Sequence, residues 1–301
     1  MYNGLINIYK EPGFTSFDAV AVLRGILKQK KIGHTGTLDP AAEGVLLVCL
    51  GSGTKLCDML ESKDKEYECV MLLGQSTDTE DTTGKILSEK NVICNEEEVS
   101  EAVMSFEGDI MQVPPMYSAI KKDGKRLYDL AREGKEIERE ARPITIHEIE
   151  IKDISLPRVT FRVKCSKGTY IRSLCRDIGD KLGCGACMEH LVRTKVSDFE
   201  IKESLSLKRV EELTKEGKID EYIKPVEAAF SDLESLHVKS ESERIIDNGN
   251  PLCFDNITEE NRDFTNGQRF RVYHPDKRFV AVYGYCEEKN IFMPVKMFFD
   301  K

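Results

Sequence analysis

The sequence predicts an α+β protein: a large domain on a mixed, mainly antiparallel sheet, followed by a small all-β module. Three observations carry this. Apolar and alternating segments read as strands, among them "VLLVCLG", "TIHEIEIKDI" and "RVTFRVKCS". Segments with helical spacing are interspersed among them without a regular βαβ period. After Leu236 the texture changes to short alternating strands ("RFRVY", "FVAVYGYC", "IFMPVKMFF") punctuated by "NGNP", "TNGQ" and "HPDKR". The expected domains are therefore 1–236 and 237–301.

Taken in order, Leu5, Ile6 and Ile8 predict an opening strand, and Thr15 or Ser16 can cap a helix over 17–30, where Phe17, Val20, Leu23 and Leu27 recur on one face. "VLLVCLG" is a continuous apolar run between glycines, expected of a strand buried on both sides. A helix is expected at 56–60, a strand in "KEYECVMLLG", a turn in "STDTEDTTGK" and a helix over 97–106. "PP" interrupts the chain before a short basic helix. The strand pair "TIHEIEIKDI" and "RVTFRVKCS" follows, then the amphipathic "GTYIRSLCRDIGDKLG", which ends at Gly183.

The composition is that of a chain able to bury a core, with 40% apolar and 32% charged residues among 301. No apolar run approaches the roughly 18 residues of a membrane span. The start "MYNGLINIYKEPG" lacks a basic segment followed by an apolar one, so the expected location is the cytosol. Ten cysteines scattered through apolar segments read as reduced thiols. The net charge of −9 argues against a nucleic-acid partner, but residues 112–195 hold 18 Lys+Arg against 12 Asp+Glu. Such a basic middle is either a phosphate-binding face or ordinary solvated helix charge.

Several motifs fail on inspection. "CGACMEH" places Cys184, Cys187 and His190 at C-x2-C-x2-H, a half-site without the fourth ligand that zinc requires. "GSGTK" does not follow the order of a phosphate loop. "DTEDTTG" lacks oxygen ligands at the positions of a calcium loop. The most unusual carboxylate is Asp39, between Leu38 and Pro40 in "GHTGTLDPAAEGVLLVCLG". Asp before Pro is a common turn initiator, so from the residues alone both a turn and a reactive group stay open.

The wider context of Asp39, "GHTGTLDPAAEGVLLVCLGSGTKL", resembles the signature of TruB-type tRNA pseudouridine synthases. So do "INIYKEPGFTSFDAV", "KEYECVMLLGQSTDTEDTTG", "QVPPMYSAIKKDGKRLYDLAREG", "EARPITIHE", and "CSKGTYIRSLCRDIGDKLGCGA" with "HLVRT" after it, in order from Leu5 to about Thr194. The resemblance implies the pseudouridine synthase fold, a mixed sheet with a central cleft, and an RNA-gripping insertion at about 112–142. It implies isomerisation of the T-loop uridine, position 55 of tRNA, to pseudouridine. That reaction is redox-neutral and calls for no cofactor or metal.

By the same resemblance Asp39 is the nucleophile, Arg172 its ion-pair partner, and Tyr67 the ring that stacks on the flipped base. Leu191 and Tyr170 would line the pocket, and His34 would fill the space the base leaves. Lys10, Lys65, Lys121, Lys122, Lys125 and Arg126 would meet phosphates, which position RNA without reading its sequence. The last module resembles a PUA domain and would touch the acceptor stem. The expected enzyme is a cytoplasmic monomer needing no membrane and no protein partner. Alternatives are a guide-RNA-dependent member of the family, a non-catalytic tRNA-binding or folding protein, and a metal-dependent RNA enzyme using Cys184, Cys187 and His190.

Overall fold

Seven strands form the spine of one sheet, in the order Gly4–Lys10, Glu43–Leu50, Ala186–Val196, Lys65–Leu73, Arg158–Cys165, Arg142–Ser155 and Gly108–Gln112. Ile32–His34 and Phe199–Glu200 attach to its flanks. This computed structural model describes residues 1–122, 124–135, 137–259 and 263–298. The expectations for Lys121, Lys122 and Arg126 concern side chains outside those described.

Every strand pairing in this sheet but one is antiparallel among the described residues. The exception joins Ala186–Val196 to Glu43–Leu50 in parallel, over Val192↔Glu43 and Arg193↔Gly44 alone. The two backbones crowd there. Gly44 has φ +104, and a Cβ on it would stand 2.3 Å from the Arg193 carbonyl oxygen, so only glycine fits. This seam in the middle of the sheet lies beside the loop that carries Asp39.

Glu43–Leu50 explains its own apolar run. Leu46, Val48 and Leu50 pack toward the helices Ser16–Leu27 and Leu207–Glu216, while Val45, Leu47 and Cys49 face the opposite way. The first of these helices begins with a capping box between Thr15 and Asp18. It ends at Leu27 rather than at 30, because Lys28 turns left-handed at φ 51. Further along the sheet, Ile171–Lys181 and Glu96–Met104 cover a third core that includes Phe161, Val163, Leu174 and Ile178.

The C-terminal sheet has the order Glu234–His237, Arg269–Tyr273, Phe279–Cys286 and Ile291–Met297. Its first strand straddles the expected junction after residue 236. A short helix, Glu243–Asp247, flanks it. Phe254, Phe264, Phe270 and Phe292 form its aromatic centre. Val282 and Phe298 join Leu5, Val45, Leu47 and Phe230 in one cluster, so the module shares a core with the large sheet.

Candidate active site

Asp39 sits on a loop pinned on both sides. Before it, the Leu38 amide donates to Ser16 Oγ at 2.8 Å. After it, Lys10 Nζ donates to the carbonyl oxygens of Pro40 (3.2 Å), Ala42 (2.5 Å) and Glu11 (3.1 Å). The Gly13 amide also donates to the Pro40 oxygen. An aspartate carried by so constrained a backbone needs little reorganisation before it acts.

Its carboxylate meets Arg172 from the helix Ile171–Lys181. Arg172 Nε lies 2.9 Å from Oδ2, and Nη2 donates to Oδ1 at 3.2 Å, a two-point grip. Arg172 is buried and has two further acceptors, the carbonyls of Thr79 (2.9 Å) and Tyr117 (2.8 Å). It thereby ties together the Asp39 loop, the turn at Thr79 and the start of the insertion. The Asp39 side chain keeps 36% of its surface exposed, directed away from this grip. Burial raises its pKa above the ordinary aspartate value, while Arg172 and Lys10 pull it down.

Tyr67 stands on Lys65–Leu73, paired in register with Arg193 across the ladder. The Arg193 guanidinium stands beside its phenol, and burial holds the tyrosine pKa above its usual value. Leu38, Ala42 and Leu191 belong to the same apolar cluster as Tyr67. Tyr170 caps the Arg172 helix, and its backbone is clamped by Gln112, whose side chain donates to the Tyr170 oxygen and accepts from its amide. His34 ends the short strand Ile32–His34 and is partly buried near Arg193. Burial and Arg193 lower its pKa, so its ring is neutral at pH 7.

Two expected phosphate contacts are corrected. Lys10 is completely enclosed, with its ammonium committed to three backbone carbonyls. Lys65 is likewise buried, and its ammonium donates to the carbonyls of Glu61 and Lys63 at the end of the helix Cys57–Glu61. Burial lowers the pKa of each to about 8. Of the expected cations in the insertion, Lys125 is exposed beside the hairpin turn of Lys121–Lys122 and Lys125–Arg126. Cys184, Cys187 and His190 part ways: Cys184 neighbours Cys94, Cys187 lies near Cys175, and His190 pairs with Glu43 at 2.9 Å.

Two features escaped the sequence reading. Arg193 is 2% exposed, donates to the carbonyls of Val45 (2.7 Å) and Gly36 (3.2 Å), and lies beside Tyr67. The only signal was its place in "HLVRT". Glu80, at φ 64, accepts from Ser173 and Arg176 and fixes the turn whose Thr79 carbonyl receives Arg172. The acidic turn sequence gave no hint of that.

One carboxylate held by a buried arginine beside a buried aromatic ring is an arrangement suited to nucleophilic or charge-stabilising chemistry. The model for the TruB family pseudouridylate synthase N-terminal domain matches residues 24–171, and that for the tRNA pseudouridylate synthase B C-terminal domain matches 172–231. The chain belongs to the TruB pseudouridylate synthase family, and it is an isomerase. It is 52% identical to the tRNA pseudouridine synthase B of Lachnoclostridium phytofermentans, over 98% of this chain and 99% of that one. With its counterpart from Bacillus pumilus the identity is 42%, over 99% and 98%. Among solved structures, a Cbf5–Nop10–Gar1 complex aligns with TM-score 0.76 and 27% identity, covering 98% of this chain and 85% of that one. The two family models meet between Ile171 and Arg172, so Asp39 and its partner come from different segments.

Proposed function

We propose that this protein converts the T-loop uridine of tRNA, position 55, to pseudouridine, with Asp39 as nucleophile. The observation that carries the reading is the two-point grip of buried Arg172 on a half-exposed Asp39. The grip opposes the desolvation that raises the Asp39 pKa, while part of the carboxylate stays open to substrate. The target base flips out of the folded loop at a cost of a few kcal/mol, partly offset by stacking on Tyr67 worth about 1–3 kcal/mol.

Asp39 then attacks or shields C1′ as the N1–C1′ bond breaks, in the manner of a glycosidase carboxylate. The detached uracil rotates, C5 bonds to C1′, and the C5 proton is lost while N1 gains one. Atoms and electrons balance without a cofactor. Tyr67, kept protonated by burial, can exchange a proton at this site. His34, Tyr170 and Leu191 shape the pocket, and Lys125 meets RNA phosphate.

The same reading makes the protein a cytoplasmic monomer that acts without a guide RNA or protein partner. The C-terminal module would rest on the acceptor stem. Greater identity to bacterial tRNA pseudouridine synthase B sequences (52% and 42%) than to the Cbf5 complex (27%) supports it. The test is tritium release from tRNA carrying [5-³H]uridine, with the wild type against Asp39→Asn. The expected result is release of one tritium per tRNA by the wild type, and a loss of at least about 10⁴-fold in the variant with tRNA binding retained. Equal release from both would remove Asp39 from the chemistry. No release from a wild type that still binds tRNA would leave a binding protein.

A further inference from the structure

We propose that the C-terminal module carries a divalent transition-metal site, of the zinc class, formed by Glu243, Asp247 and His274. The site lies outside the catalytic cleft and uses none of its residues. Glu243 and Asp247 stand one turn apart on the helix Glu243–Asp247. His274 opens the turn that joins Arg269–Tyr273 to Phe279–Cys286. The donor atoms of the three residues all lie within 4.8 Å of one another.

The imidazole makes this more than an acidic cluster. His274 is 4% exposed, and its Nδ1 lies 3.0 Å from Asp276 Oδ1 and 3.3 Å from the Asp276 amide nitrogen, so Asp276 anchors the ring on that side. The other ring nitrogen is Nε2. It is buried and has no hydrogen-bond partner among the described residues. A ring anchored at one nitrogen by a neighbouring aspartate, with the other nitrogen open, resembles the arrangement of a metal-ligating histidine.

Nε2 faces Glu243 Oε1 and Asp247 Oδ1, each at 3.5 Å. With its proton on Nδ1 the ring presents Nε2 as a third electron-rich atom beside the two carboxylates, and a cation between them would remove the repulsion. A proton on Nε2 would draw one carboxylate to about 2.7–2.9 Å, the length of a charge-assisted hydrogen bond. A tetrahedral ion with bonds of roughly 2.0–2.2 Å instead sets its ligands about 3.4 Å apart. The two Nε2–carboxylate distances fit the metal, and the donor atoms of Glu243 and Asp247 stay within 4.8 Å of each other. The two carboxylates are half-exposed (57% and 48%), which gives an ion a path in and leaves its fourth position to water. The bound ion would staple the short helix to the strand turn.

The experiment uses the full-length protein, stripped with chelator under reducing conditions and equilibrated by dialysis against Zn²⁺. The variant is Glu243→Gln with Asp247→Asn, which alters only half-exposed groups and spares the buried ring. The expected result is one more equivalent of zinc on the wild type than on the variant, with a zinc-dependent rise in melting temperature in the wild type alone. Co²⁺ replacing that equivalent should show ligand-field bands without thiolate charge transfer. Equal metal contents would overturn the site. So would a thiolate signature on the extra equivalent, which would assign it to cysteines instead.

Discussion

Arg193 and Tyr67 face each other across neighbouring strands, and the arginine's guanidinium stands beside the tyrosine's phenol from a position that is 2% exposed. The same guanidinium holds the carbonyls of Gly36 and Val45, on either side of the Asp39 loop. One buried cation therefore sets the ring and the loop relative to each other. Tyr67→Phe should lower single-turnover tritium release by about 10²-fold. It should also cost about 1 kcal/mol of stability, because the buried Arg193 guanidinium loses a polar neighbour. Denaturant melts and rapid-quench assays on the same preparation measure both.

Arg172→Lys keeps the charge and loses the fork. A lysine reaches Asp39 as a point charge and cannot also serve the Thr79 and Tyr117 carbonyls. The expected outcome is a fall in kcat of about 10²-fold or more with KM for tRNA nearly unchanged. Stability should drop by about 2 kcal/mol, less than the roughly 3–5 of a fully buried pair, since Asp39 is 36% exposed.

Lys10→Met separates positioning from phosphate contact. The side chain volume is nearly kept, but the carbonyls of Glu11, Pro40 and Ala42 lose their donor. We expect slower catalysis with an unchanged slope of log Kd for tRNA against log salt, because no phosphate contact is removed. A slope shallower by about one would restore Lys10 to the RNA interface. Lys125→Met should do the opposite, reducing the slope and sparing the chemical step.

The pH profile follows from the two shifted groups. Asp39 must be ionised, and burial places its pKa above the ordinary 3.8, so activity rises with pH through a limb displaced upward from that value. Lys10 loses its proton above about 8, which removes a cation near Asp39 and the donors that hold the loop. Activity should therefore decline above about pH 8. In Lys10→Met the alkaline limb should vanish, and the acid limb should move further up, since a cation that favours ionised Asp39 is gone. Single-turnover rates measured from acid to alkaline pH check both limbs; an alkaline limb that persists in the variant would assign it to another group.

Local chemistry was legible where the residues act locally. The Thr15 cap, the doubly buried run at Glu43–Leu50 and the strand pair Arg142–Ser155 with Arg158–Cys165 follow from spacing, and the structure has them all. The central strand Ala186–Val196 was not legible. Its "MEHLVRTK" reads as polar, because the side chain it buries most deeply in mid-strand is an arginine, and burial of that charge depends on carbonyls from Gly36 and Val45 more than 140 residues away.

By itself, then, the sequence determined the α+β class, the family, and the identity of Asp39, Arg172 and Tyr67 as the residues to examine, since ordered motifs survive as strings. Only the tertiary structure decided that Lys10 and Lys65 turn inward rather than toward RNA. It alone assembled Arg193, Glu80 and Gln112 into the supports of the site. The physical reason is that the destination of a charge depends on which backbone carbonyls converge on it once distant strands pair, and no window of sequence contains those carbonyls.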